Sequence, residues 1–183
     1  MRTFDQVTHL TGKTHFISCE LDEGLVVWTI EKSTHLLLQS LKKTTSENLT
    51  LYRAEVGNFK LTIIIGDIRK TLPSFRESNL FGKFNAIYQD AFSPKKNPTL
   101  WTTQWFEDLK LHSEDDCILS TYSAAMPVRK GLLSAGWRVF KRDGYGEKRS
   151  TTLARLNCEM NSEFLTNIRN SPEKSLDDKL LEK

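Results

Sequence analysis

Six short apolar runs limit the folds open to this chain more than any other feature. HFISC (15–19), LTIII (61–65), FNAIYQ (84–89), CILST (117–121), WRVFK (137–141) and TTLARL (151–156) are rich in β-branched and aromatic residues. Each is bounded by Gly, Asp or charge, which marks a strand. Between them, apolar residues recur at helical spacing: Val26, Ile30, Leu37 and Leu41; Trp101, Trp105 and Leu109; Val128, Leu132 and Ala135. Gly136 follows the last set, where a helix C-terminal cap belongs. Strand and helix in alternation predict an α/β domain with a mostly parallel sheet. The unbroken apolarity of LTIII predicts a strand buried on both faces. Residues 137–156 hold two strands joined by a Gly-containing loop, so an antiparallel hairpin is expected to close the sheet.

The chain of 183 residues suits one domain with a real core. That domain is expected over 1–158. From Glu159 the sequence turns polar and charged, and Pro172 interrupts any helix there, so a flexible or loosely helical tail is expected over 159–183. No run approaches the roughly 20 apolar residues of a membrane span, and the first residues lack a secretory signal's apolar core. A cytoplasmic protein without membrane association is expected. Cys19, Cys117 and Cys158 are scattered and His9, His15, His35 and His112 show no ligand spacing. Buried thiols and incidental histidines are therefore expected, with no metal site.

The net charge is only +3, yet Arg129 to Arg155 holds eight basic residues and two acids, a segment charge of +6. Such a cluster is either a solvated face or a contact for polyanions.

Three acids stand just past strands: Glu20, Asp67 and Asp90. In open parallel sheets, ligands bind beyond the C-terminal strand ends. An acid after the second strand commonly accepts hydrogen bonds from a ribose diol, and one after the next strand can meet an adenine amino group. Asp90 would then face the reacting centre. Capping of the following helix is the competing role for each. After Asp90 comes a loop stiffened by Pro94 and Pro98, which also restrict Ser93 and Asn97. Phe92 is suited to stacking on a base, and Lys95 and Lys96 to contacting phosphate.

DAFSPKKNPTLWTTQWFEDL (90–109) resembles the Asp-Gly/Ala-Phe-x-Pro-x-Lys-Asn-Pro-x-hydrophobic-Trp segment of bacterial MnmC-type methyltransferases. STYSAAMPVRKGLLSAGWRVFKRDGYGEKRS (120–150) is similar to that family's Val-Arg-Arg-Gly-Leu-x-x-Ala-Gly-Phe stretch and its Gly-aromatic-Gly-x-Lys-Arg end. FISCE and IIIGDI match its cofactor strands, and the resemblance runs from about residue 10 to 156. It implies a class I, Rossmann-like fold and methyl transfer from S-adenosylmethionine to the aminomethyl nitrogen of a wobble uridine in tRNA. Carried over by position, Glu20 would bind the cofactor ribose, Asp67 the adenine side, and Asp90 would lie beside methyl donor and amine. Phe92, Lys95, Asn97 and Pro98 would shape the substrate pocket, and Arg129, Lys148 and Arg149 would hold tRNA phosphate.

One departure from the family pattern carries an expectation of its own. Class I methyltransferases begin with a central strand ending in a glycine-rich loop, whereas the one glycine ahead of Glu20 here is Gly12, after an apparent helix MRTFDQVTHL. The chain is expected to be an N-terminally shortened form, or one whose start is assigned too late. Strands 15–19 and 84–89 would then lack a shared neighbour, and the chain alone would bind cofactor weakly or not at all. The flavin-dependent oxidase domain of some relatives has no counterpart here, so no FAD and no oxidation step are expected. Two rivals remain. A Rossmann-like oxidoreductase would use Glu20 on a nicotinamide ribose, but needs a Gly-x-Gly-x-x-Gly and leaves the Asp90 loop without a role. A non-catalytic tRNA-binding or partner module would keep the substrate surface and have lost the cofactor.

Overall fold

The computed structural model describes residues 12–46, 49–78, 82–143 and 150–181, which divide into two compact units, 1–82 and 83–183. Two units stand where the sequence suggests one domain.

In the first unit, β1 (Thr14–Glu20) leads to α1 (Glu23–Lys32), whose start is set by Asp22 accepting from Gly24 N at 2.8 Å. The helical spacing of Val26, Ile30, Leu37 and Leu41 does not make one helix. Ser33 is extended, and the His35 ring then accepts from Leu37 N to start a second short helix, α2 (Leu36–Gln39). The apolar residues nonetheless meet: Val26, Leu37 and Leu41 share a core with Tyr52, Ala54, Phe59 and Leu61, and Ile30 packs against it.

Strands β2 (Lys42–Thr45), β3 (Thr50–Val56) and β4 (Phe59–Ile65) follow as an antiparallel meander. Gly57, at φ +58°, makes the tight turn between β3 and β4. The sheet order is β1-β4-β3-β2, with β1 parallel to β4. Lys43 and Tyr52 both donate to Glu23 Oε1, at 2.7 and 2.8 Å, which ties β2 and β3 to α1 and lowers the Glu23 carboxyl's pKa. On the other sheet face α3 (Ile68–Glu77) lays Phe75 against Leu49, Leu51 and Ile64. On that same face His15 is hydrogen-bonded with Thr62 Oγ1 at 2.8 Å. Burial first, and Lys60 second, push the His15 imidazole down to about 4, so it is neutral at pH 7.

The second unit contains β5 (Phe84–Tyr88), a 3-10 turn (Pro98–Trp101), α4 (Thr103–Leu111) and β6 (Ser113–Thr121). Then come α5 (Met126–Ser134), β7 (Arg138–Asp143) and β8 (Ser150–Arg155). The sheet order is β5-β6-β8-β7. Gly136, at φ +90°, ends α5 with Trp137 N bonded to Leu132 O at 3.0 Å, the cap anticipated at this glycine. The closing hairpin β7–β8 is antiparallel as expected. Phe106 of α4, Leu132 of α5, Trp137, Leu119 and Val139 are fully buried.

Three expectations need correction. Each sheet is mixed rather than mostly parallel: β1–β4 and β5–β6 pair parallel and the other four pairings are antiparallel. Strands β2 and β3 do not stand out in sequence, because KKTT is wholly exposed and TLYRAEV interleaves Arg and Glu with its apolar residues. The tail folds as well. In α6 (Ser162–Asn170) Ile168 is fully buried, and Leu176 bridges Thr102 and accepts from Thr103 N at 3.0 Å. Gln104 holds Asp177 and Asp178, at 2.9 and 3.1 Å, beside the last short helix, α7 (Asp178–Leu181). These anchors are mostly polar, which is why composition alone suggests a loose tail. Lastly, only Cys117 is buried among the cysteines, Cys158 being half-buried and Cys19 exposed.

Among the described residues, β1 pairs only with β4 and β5 only with β6, so both are outer strands. These are the strands expected to lack a shared neighbour. No helix there is long and apolar enough to cross a membrane. The apparent helix at 1–10 lies outside the described residues.

Candidate functional site

Glu20 and Asp67 are brought to adjoining strand ends by the parallel pairing of β1 with β4. Glu20 is in register with Ile65, and the next residue, Gly66, donates its backbone N–H to the Glu20 carbonyl at 2.8 Å. Gly66 has φ +118°, a conformation that a Cβ would strain. Glu20 Oε1 accepts from Asp22 N at 3.0 Å. Its side chain also lines a cavity of about 140 Å³ with Ser18, Leu25, Val26, Thr29 and Leu41. Asp67 is the N-cap of α3, its Oδ1 accepting from Arg69 N at 3.1 Å, while Oδ2 lies 4.0 Å from Lys70 Nζ. The capping role weighed for these acids is thus realised at Asp67, where one oxygen remains outside the cap.

Asp90 is exposed just past the end of β5. Its loop is rigid for reasons partly hidden in the sequence. Gln89, only 6% exposed, donates Nε2–H to the Leu100 carbonyl at 2.7 Å and accepts from the Trp105 indole at 3.3 Å. Its backbone N–H bonds Ser120 O, continuing the β5–β6 ladder. Trp101, buried to 2%, donates its indole N–H to the Phe92 carbonyl at 2.7 Å. Lys96 N and Asn97 N both reach Ser93 O, Asn97 Oδ1 accepts from the Thr99 hydroxyl, and Pro98 starts the 3-10 turn. The outcome is a fixed backbone with Phe92 76% exposed and Lys95 and Lys96 exposed beside it. Gln89 escapes sequence reading because its clamp spans 11 and 16 residues. A polar residue closing an apolar run was its only signal.

Arg129 contradicts its expected role. It is 6% exposed, donates to Thr152 Oγ1 at 3.0 Å and lies 5.3 Å from the centre of the Phe164 ring. The guanidinium is turned into the fold, tying α5 to β8 and α6, and is not presented to phosphate. Lys148 and Arg149 lie outside the described residues. Among the described residues no group of three or more His, Cys, Asp or Glu is placed to hold a metal.

A family model described as S-adenosyl-L-methionine-dependent methyltransferase matches residues 30–157, which include Asp67 and Asp90 but begin after Glu20. The bifunctional protein MnmC of tRNA 5-methylaminomethyl-2-thiouridine biosynthesis from Ectopseudomonas mendocina is 38% identical over 156 residues, covering 75% of this chain and 22% of that protein. The protein of the same name from Pseudoalteromonas atlantica is 41% identical over 85 residues, covering 46% of this chain and 12% of its own length. This chain therefore spans less than a quarter of those curated relatives, about 22% and 12%. The solved structure of MNMC2 from Aquifex aeolicus aligns with a TM-score of 0.63 at 24% identity, over 92% of this chain and 53% of that one, and it shares the fold. With a Rossmann-like α/β architecture and a match over residues 30–157, the chain belongs to the S-adenosyl-L-methionine-dependent methyltransferase family.

Proposed function

We infer that this chain acts on tRNA, transferring a methyl group from S-adenosylmethionine to the aminomethyl nitrogen of a modified wobble uridine. The reading is supported by what its relatives are named for. The observation that carries it is the Asp90 loop, an exposed carboxylate on a backbone pinned by Gln89 and Trp101. A tRNA substrate agrees with the expected cytoplasmic location.

Residues of the first unit fit part of the cofactor. Glu20 would hold the ribose hydroxyls with the oxygen not bonded to Asp22 N, and Asp67 the adenine amino group with the oxygen outside its cap. Among the described residues no glycine-rich turn offers backbone N–H groups to the methionine carboxylate. Bound S-adenosylmethionine would supply an electrophilic methyl group, the sulfonium S–CH3 bond breaking to leave the neutral thioether S-adenosylhomocysteine. Asp90 accepts an N–H hydrogen bond from the substrate amine and orients its lone pair, and holding the amine in place lowers the entropic barrier. After transfer the methylated ammonium loses one proton, to Asp90 or to water. Phe92, Lys95, Asn97 and Pro98 form the wall against which the uridine is held, with Lys95 and Lys96 toward phosphate.

The test is transfer of labelled methyl from millimolar S-adenosylmethionine to undermodified tRNA, with wild type and Asp90→Asn. The reading fails if the wild type transfers nothing, or if Asp90→Asn keeps full rate. Calorimetry separately tests the expectation of weak cofactor binding by residues 1–183, which micromolar affinity would overturn.

A further inference from the structure

The sheet of the second unit has two unlike faces. Its α4 and α5 pack on the side of Cys117, Leu119, Val139 and Ala154, all fully buried. Register places a different set on the other side, in rows across the strands. Arg138 pairs with Arg155 and Arg155 with Ile118; Phe140 pairs with Leu153, Leu153 with Ser120 and Ser120 with Tyr88; Arg142 pairs with Thr151. Arg138, Arg142 and Arg155 are exposed, Tyr88 is 68% exposed, and Phe140 and Leu153 are half-buried.

Two features of this face need an occupant. Arg138 and Arg155 stand directly opposite each other on adjacent strands, and like charges so placed repel. No carboxylate among the described residues forms an ion pair with either. Asp116 and Glu114, two and four residues before Ile118 on β6, bring two acids to the edge of this face, against its three arginines, which leave it cationic. An exposed aromatic ring also stands on this face, Tyr88 on β5, two strands from Arg155 and two residues before Asp90.

The geometry points to this face as a platform for single-stranded RNA, the arginines taking phosphates and Tyr88 stacking a base next to the reacting nucleotide. This assignment rests on the tRNA reading and relocates its RNA contact. The basic segment 129–155 serves through residues that strand alternation turns to one side, while Arg129 is structural. Aromatic stacking with flanking cations is a sequence-tolerant way to hold an unpaired strand, such as an anticodon loop.

The test uses fluorescence anisotropy of a labelled, uridine-rich seven-nucleotide RNA with the full chain, without cofactor, over a series of salt concentrations. Arg138→Glu/Arg155→Glu is expected to weaken binding at least tenfold and to flatten the salt dependence. Tyr88→Ala is expected to weaken it about tenfold with the salt slope kept. A matched charge reversal on α4 and the C-terminal segment, Lys110→Glu/Lys174→Glu, should change affinity less than twofold. Arg138→Gln/Arg155→Gln serves as a milder pair, and circular dichroism checks that each variant is folded. Unchanged affinity in folded arginine variants, or an equal loss in the Lys110/Lys174 control, overturns the platform. So does sedimentation showing a dimer of the free chain that the arginine variants dissolve, since a second copy would then cover the face. Because cofactor is absent, intact RNA binding by a chain that transfers no methyl would refute the methyl-transfer reading alone.

Discussion

Among the described residues, nine apolar side chains of the second unit have no exposure at all, among them Trp137, Phe106, Leu132, Leu119 and Ile168, whereas in the first Ile64 and Phe75 alone reach that state. The difference follows from the layering. Sheet β5-β6-β8-β7 presents one face to α4 and α5, and α6 adds cover beside β7. Sheet β1-β4-β3-β2 divides fewer helical residues between its faces, α1 and α2 on one and α3 on the other. The Asp90 loop is bonded to buried Gln89 and Trp101 of the well-packed unit, while Glu20 and Asp67 project from the ends of a thinner one.

The most severe test of this contrast is truncation in the two cores. Trp137→Ala should cost ~3–5 kcal/mol, and Leu61→Ala, from the shallower core, should fall near the low end of the ~2–5 kcal/mol range for leucine. Urea unfolding monitored by circular dichroism measures both, and equal costs would show that the two cores are packed alike. Next in size, Asp90→Asn should leave the unfolding midpoint unchanged yet lower kcat about a hundredfold. A fall in stability instead would make Asp90 a structural residue. Asp67→Ala should cost about 1 kcal/mol through loss of the α3 cap. If adenine binding shares the carboxylate, the same variant also weakens S-adenosylmethionine, and calorimetry separates the two effects.

The smallest effect at neutral pH is that of His15. Its folded pKa is about 4 against an ordinary 6.5, so between those values the unfolded chain binds a proton that the folded chain does not. The His15 contribution is therefore complete above pH 6.5 and declines as pH falls toward 4. His15→Gln should flatten the stability–pH curve in that window and leave pH 8 unaffected. An unaltered slope would show that the imidazole titrates freely.

Much of this architecture is legible from local pattern. Strand periodicity locates six of the eight strands among the described residues, Gly136 marks the end of α5, and paired prolines announce a stiff segment after Asp90. Strands β2 and β3 are not legible, because their polarity reflects an exposed edge and a charged rim that only pairing makes strand-like. Gln89 and Arg129 mislead in opposite directions. An uncharged amide in a strand exit is the clamp of the loop, and an arginine in a basic cluster is buried with hydroxyl and ring partners.

The alternation of strand and helix, the acids at strand ends and the rigidity beyond Asp90 are written in short stretches of sequence. All are set by dihedral preference and by the spacing of apolar side chains along a few residues. Which charges are spent inside the fold, which strands stand at the edge and which sheet face is left cationic emerge with long-range packing. Those outcomes depend on neighbours tens of residues away, whose distances and burial no local pattern encodes.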